Sequence, residues 1–331
     1  MDYPKIGSCS VVVPVYNSAT TLTMLVERLS HTLPCIAQDY ELILVNDGSR
    51  DNSWEKITQI VERYAWVSAI NLMRNYGQHN ALLCGIRNAR YDIIVTMDDD
   101  LQHPPEEIGK LVEKLCEGYD VVYGSPRKGP HSLWRNLSST ISKRTLAFVM
   151  GIKTVREISA FRAFRTDLRK AFANYQSPGV IIDVLLSWGT TRFTSIQVDE
   201  NPREVGNSNY NFAKLLSQVF LILTGFSTIP LRFASLTGFG FTIFGLLVFI
   251  YVLSSYFAQG SIPGFPFLAS IVLLFSGMQL FALGLIGEYL GRIFDRSMER
   301  PPYVIGETIL CVGKDRLIEE PEKTVEIGPM N

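Results

Sequence analysis

"VTMDDDLQHPPEE", Val95 to Glu107, places three consecutive carboxylates directly after an apolar run. It continues the apolar, β-branched run Asp92-Ile-Ile-Val-Thr-Met97, which reads as a buried strand bounded by polar residues. Asp98, Asp99 and Asp100 follow at once, and their like charges repel, so something at the mouth of that strand must offset the repulsion. Two answers fit. One is a solvated turn that caps the next helix, whose N-terminus favours negative charge. The other is a divalent cation such as Mg2+ or Mn2+, for which Asp98, Asp100 and Gln102 supply hard oxygen ligands on one turn. An Asp-x-Asp pair alone leaves both open.

Working outward, short β-rich runs alternate with helix-like segments from Ser8 to about Val198. The strands are expected over Ser10 to Val15, Tyr40 to Asn46, Val67 to Leu72, Ile93 to Met97 and Val121 to Gly124. Helices are expected over Thr21 to Leu33, Ser53 to Tyr64, Asn80 to Arg87 and Pro105 to Glu117. Near-continuous apolar strands joined by helical crossovers predict an α/β domain with a mostly parallel, Rossmann-like sheet covered on both faces. Such sheets bind ligands beyond the carboxyl ends of their strands. The polar turns Pro14-Val-Tyr-Asn17, Asn46-Asp-Gly-Ser49, Arg74-Asn-Tyr-Gly77 and Asp98-Asp-Asp100 all fall at those ends and together outline a cleft.

The chain has 331 residues, 47% hydrophobic and 19% charged, with mean hydropathy +0.14, which is apolar for an ordinary soluble enzyme. Its net charge of -1 gives no basic field, so nucleic acid is not an expected partner. Five scattered cysteines, with no Cys-x-x-Cys pair, read as reduced thiols rather than a zinc site. After Phe212 the character changes. Residues 212–230 read as a juxtamembrane amphipathic helix, and residues 231–257 and 265–290 as two transmembrane helices. Arg232 precedes the first span, and Arg292, Arg296 and Arg300 follow the second, so both flanks are expected in the cytoplasm. The domains are then a cytosolic part over residues 1–211 and a cytosolic tail over 291–331, whose β-like runs suggest an added strand or a homo-oligomer contact.

Taken with Val13-Pro-Val-Tyr-Asn17, Asn46-Asp-Gly-Ser49, Arg74-Asn-Tyr-Gly77, Met97-Asp-Asp-Asp-Leu-Gln-His-Pro-Pro105, Ser159-Ala-Phe-Arg162 and Arg203-x-x-Gly-x-Ser208, the chain resembles the GT-A fold, family 2 polyprenyl-phosphate glycosyltransferases over roughly Ser8 to Gly306. The resemblance implies a nucleotide-sugar donor, a polyprenyl phosphate acceptor, a Mg2+ or Mn2+ cofactor and a place in the bacterial inner membrane with the catalytic domain cytoplasmic. Pro14, Tyr16, Asn17, Asp47, Asp98, Asp99 and Ser208 match donor-binding positions, Asp98, Asp100 and Gln102 the metal ligands, and Asp100, Arg203 and Glu157 the catalytic group. Arg127, Arg135 and Arg162 are candidates for gripping the acceptor phosphate, since a guanidinium binds phosphate through two parallel hydrogen bonds. This sequence departs from the family pattern in having Ser18 after Tyr-Asn and Asn209 after Gly-x-Ser. Two rivals stand beside this reading: a processive polysaccharide synthase, for which a Gln-x-x-Arg-Trp segment is missing, and a noncatalytic membrane scaffold with a vestigial cleft.

Overall fold

The computed structural model describes residues 6–126, 158–177, 179–201, 227–259, 264–312 and 315–319. It divides into two compact units, Met1–Asn211 with Arg300–Asn331, and Phe212–Glu299.

The first unit alternates as expected: β1 (Ile6–Val15), α1 (Leu22–Ile36), β2 (Ala37–Asn46), α2 (Ser53–Arg63), β3 (Val67–Leu72), α3 (Gln78–Asn88), β4 (Ile93–Thr96), α4 (Ile108–Cys116) and β5 (Val121–Pro126). Then come β6 (Arg162–Arg165), α5 (Ile182–Ser187) and β7 (Phe193–Val198), and the tail returns as β8 (Ile305–Val312) and β9 (Asp315–Glu319). In α1 the buried residues Leu22, Leu25, Val26, Leu29, Leu33 and Ile36 recur at the spacing of one helical face, and that face covers the sheet. Residues Pro105–Glu107 form a short 3-10 turn, and the predicted Pro105 to Glu117 helix is α-helical only over Ile108–Cys116.

The strand order is β7-β5-β6-β4-β1-β2-β3-β8-β9. The central strands β4, β1, β2 and β3 are parallel neighbours, with Val12 opposite both Ile43 and Thr96. The expectation of a mostly parallel sheet needs correction outside that core. β6 is wedged antiparallel between β4 and β5, and β8 runs antiparallel on β3, so the sheet is mixed. The tail's first strand is therefore spent within its own chain, covering the edge that β3 would expose.

The second unit holds α6 (Ile229–Gln259) and α7 (Phe265–Ser297). The stretch Ile229–Val248 is long and apolar enough to cross a membrane, and among the described residues it is the one such stretch. Large apolar side chains stand out on both helices, Leu236 at 71% exposure and Leu280 at 69% for example. Exposed apolar faces of this extent mark a contact with lipid or with another protein. The rings of Phe241 and Phe275 meet edge to face, 6.0 Å apart, and Tyr289 donates to the Ser227 carbonyl at 2.5 Å.

Candidate functional site

The polar strand ends do converge, and a hydrogen-bond network shows how. Asp47, just past β2, is 2% exposed and accepts the amides of Tyr76 at 2.7 Å and Gly77 at 2.8 Å. Desolvation raises its pKa above the usual carboxylate value, and those two amides oppose the rise. Its structural task is to pin the Arg74–Gly77 loop against β2, and each oxygen keeps a further lone pair for a ligand. Gly48 sits at φ +62°, a left-handed conformation that a side chain resists. Asn46 donates to Asn71 at 2.8 Å and accepts Ser49 Oγ at 2.6 Å; Ser49 Oγ in turn accepts the Asn17 amide at 3.0 Å. Asn17 Oδ1 accepts the Arg50 amide at 2.8 Å, so β1 and β2 end as one rigid corner. Tyr16 stands at that corner 44% exposed, directly after Pro14 and Val15 of β1.

The acidic turn follows β4, with its three carboxylates half-buried. Asp98 accepts Gln78 Nε2 at 2.6 Å, Asp99 accepts the Tyr16 amide at 3.3 Å, and Asp100 accepts both the Gln102 amide at 3.1 Å and Gln102 Nε2 at 2.7 Å. Desolvation raises the Asp99 pKa, opposed by hydrogen bonds from Ser18 and Tyr16. Asp99 thus ties the turn to β1. Asp98 and Asp100 are left on the two sides of it.

The oxygen donors suit a hard divalent cation. An ionised carboxylate offers about four lone-pair sites, so Asp98 and Asp100 retain capacity beyond their hydrogen bonds. Among the described residues no three His, Cys, Asp or Glu side chains converge on a point.

Of the arginines read as phosphate grips, Arg162 needs correction. It is 1% exposed in β6, its guanidinium paired with Asp183 and its Nε donating to Thr96 Oγ1 at 3.0 Å. A guanidinium locked into a buried ion pair has no reach to a lipid phosphate. Arg127, Arg135, Glu157, Arg203 and Ser208, and with them residues 212–226 of the juxtamembrane segment, lie outside the described residues.

Sequence reasoning missed Gln78, Tyr123 and Asp183. A signal for Asp183 was present: it is the one charge in the apolar run Val180 to Trp188. Tyr123, fully buried, donates to Asp183 at 2.9 Å. His79, beside Gln78, accepts the Ile182 amide through Nδ1 at 3.5 Å.

Desolvation holds the His79 pKa below its ordinary 6.5, with Asp183 opposing and Arg162 reinforcing; His103 is lowered by desolvation as well. The unfolded chain takes up these protons near pH 6.5, whereas the folded chain takes them up only at lower pH. Stability is therefore intact above about pH 6.5 and is lost as the pH falls toward the folded values, by up to about 1.4 kcal/mol per pH unit for each proton. Thermal melts of His79→Gln are expected to show a shallower dependence on pH than wild type just below pH 6.5. An unchanged slope would remove His79 from this role.

The family model for glycosyl transferase family 2 matches residues 10–172. A protein of Yersinia enterocolitica named undecaprenyl-phosphate 4-deoxy-4-formamido-L-arabinose transferase is 37% identical over 312 residues, 92% of this chain and 94% of that one. A protein of the same name from Proteus mirabilis is 36% identical over 313 residues, 93% and 95% of the two chains. Among solved structures, glucosyl-3-phosphoglycerate synthase from Mycobacterium tuberculosis matches with TM-score 0.48 and 18% identity over 66% of this chain and 78% of that one.

Proposed function

The chain belongs to glycosyl transferase family 2, and from that premise we propose that it is an inverting glycosyltransferase that moves a single sugar from a UDP- or GDP-sugar to a polyprenyl phosphate at the cytoplasmic face of a bacterial membrane. The observation that carries this reading is the union, in one chain, of a family 2 domain with an acidic turn at its strand ends and a unit of long helices with apolar outer faces. A soluble acceptor would not call for such helices. A polyprenyl chain leaving the bilayer would expose many methylenes at about 0.8 kcal/mol each, so its enzyme must reside where the lipid is. The Yersinia and Proteus relatives are named as undecaprenyl-phosphate transferases, which supports the same acceptor. The lipid-linked sugar would then serve glycan or lipopolysaccharide modification.

In this reading Tyr16 and Asp47 bind the nucleotide, with Pro14 and Asn17 shaping the β1 end and Asp98 and Asp99 facing the ribose and diphosphate. Asp98, Asp100 and Gln102 would hold Mg2+ or Mn2+, which when bound neutralises charge developing on the diphosphate leaving group. Arg203 and Ser208 close over the same diphosphate, and Arg127 and Arg135 grip the acceptor. A phosphomonoester has its second pKa near 6 and is largely dianionic at neutral pH. It attacks without a strong general base, so Glu157 serves to orient and need not take a proton. Residues 212–230 lie along the interface, α6 and α7 supply two spans, and Arg232, Arg292, Arg296 and Arg300 keep both termini cytoplasmic. Self-association, if the tail drives it, would use β9, the outermost strand of the sheet.

Incubating purified protein with Mg2+, undecaprenyl phosphate and a panel of UDP- and GDP-sugars, then weighing the lipid by mass spectrometry, tests the proposal. One added sugar is expected. A polymer would favour a processive synthase, and no product with any donor would favour a scaffold. Attack from the face opposite the diphosphate further predicts a β-linked lipid from an α-linked donor, read by the anomeric NMR coupling; an α-linked product would defeat inversion.

A further inference from the structure

The pair Arg162 and Asp183 is buried to 1% and 4% exposure and is bonded through Arg162 to Thr96 at the end of β4. Burying two charges removes them from water, and an apolar pair of similar volume often serves stability as well or better. The value of this pair must be sought in what it touches. Arg162 Nε donates to Thr96 Oγ1 at 3.0 Å, and Thr96 Oγ1 donates to the Ala160 carbonyl at 2.8 Å. Thr96 is the last residue of β4, two positions before Asp98. Asp183 also accepts Tyr123 Oη from β5, so one buried carboxylate binds side chains from two adjacent strands at the level where the turn begins.

A second hold comes from the helix side. Gln78 opens α3 and donates to Asp98 at 2.6 Å, while its neighbour His79 accepts the amide of Ile182, the residue before Asp183. The turn itself needs holding: Leu101 has φ +58°, a conformation that a leucine adopts only where its surroundings impose it.

We propose that the Arg162–Asp183 pair, with Tyr123, positions the acidic turn so that Asp98 and Asp100 present their carboxylates in a fixed geometry. Asp183 is a positioning residue that acts through Thr96 and the start of α3 and does not touch the substrate. The inference deepens the functional reading above, because it is transfer from a diphosphate donor that requires those carboxylates to be fixed. Misplacing a reacting group by about 1 Å can cost roughly a hundredfold in rate. Nucleotide contacts at Tyr16 and Asp47 belong to β1 and β2, on the far side of β4 from the pair, and should survive its loss.

Hydrogen-deuterium exchange of the full-length protein decides the matter, with Tyr123→Phe as the mild variant and Asp183→Asn as the severe one. Amides of residues 97–102 are expected to exchange about tenfold faster in Tyr123→Phe while peptides of β1, β2 and β3 keep wild-type rates. kcat/KM for the donor should fall about tenfold in Tyr123→Phe and about a hundredfold in Asp183→Asn. Wild-type exchange at 97–102 in Tyr123→Phe, or acceleration spread evenly over the sheet, would overturn the proposal, even if Asp183→Asn fails to fold. The exchange measurement needs no turnover. A wild-type protein that transfers no sugar would therefore sink the functional reading while leaving the positioning role to be judged by exchange.

Discussion

Asp100→Asn is expected to lose about three orders of magnitude in kcat, equivalent to about 4 kcal/mol of transition-state stabilisation, while the protein stays folded. The substitution is chosen for what it retains. Asparagine keeps a carbonyl oxygen that can accept one of the two Gln102 donors, the amide at 3.1 Å or Nε2 at 2.7 Å, and loss of the other at this half-buried position is expected to cost about 1 kcal/mol. No side chain of the acidic turn caps the helix that follows, whose N-cap is Glu107. If the turn only shaped the backbone around Gln102, Asp100→Asn would be active. If the turn supplies charge to a cation and through it to the leaving diphosphate, the variant stays folded and transfers nothing measurable in initial-rate assays. Normal rates in the variant would return the turn to a purely structural role.

Gly48→Ala is expected to be among the most destabilising single changes in the first unit, by about 2–4 kcal/mol. Gly48 has φ +62°, and a Cβ there would stand 2.5 Å from both the Arg74 carbonyl carbon and the Asn75 nitrogen. Those atoms are backbone, and the same loop is tied down one residue later where Asp47 takes the Tyr76 and Gly77 amides. Neither side can yield. The left-handed backbone costs alanine roughly 1 kcal/mol and the overlap a further 1–3 kcal/mol, against the 5–15 kcal/mol that typically holds a domain together. Denaturant midpoints should fall accordingly, and nucleotide affinity should weaken in whatever folded fraction remains, because the displaced loop carries the Asp47 corner with it. A wild-type midpoint would mean that the Arg74–Gly77 loop can move aside.

Much of this was legible in the sequence because the central strands are long, apolar and parallel, and end in turns whose residues are unusual in company. Val11 to Val15, Leu42 to Val45 and Ile93 to Thr96 fall where the hydrophobic runs place them, and α1 and α2 follow their apolar stripes. The corner made by Asn17, Asn46, Asp47 and Ser49 was visible as motifs, though not its bonding. β6 was not visible, because four residues beginning and ending in arginine, Arg162 to Arg165, carry no alternating pattern; only pairing with β4 and β5 makes them a strand. The misreading of Arg162 has the same root. An arginine at the end of the Ser159-Ala-Phe-Arg162 motif looks available, and its partner Asp183 lies 21 positions away, a separation that no local period reveals. β8 was foreseen only as a possible added strand, since pairing with β3 requires the chain to return from the second unit.

The account stands or falls on a divalent cation at the Asp98–Asp100 turn serving a lipid phosphate acceptor. The most direct measurement follows sugar transfer to undecaprenyl phosphate by purified protein, first stripped with excess EDTA and then resupplied with Mg2+ or Mn2+. The account predicts no lipid-linked sugar in chelator and recovery of the single-sugar product on adding either ion. Undiminished transfer in EDTA would contradict it.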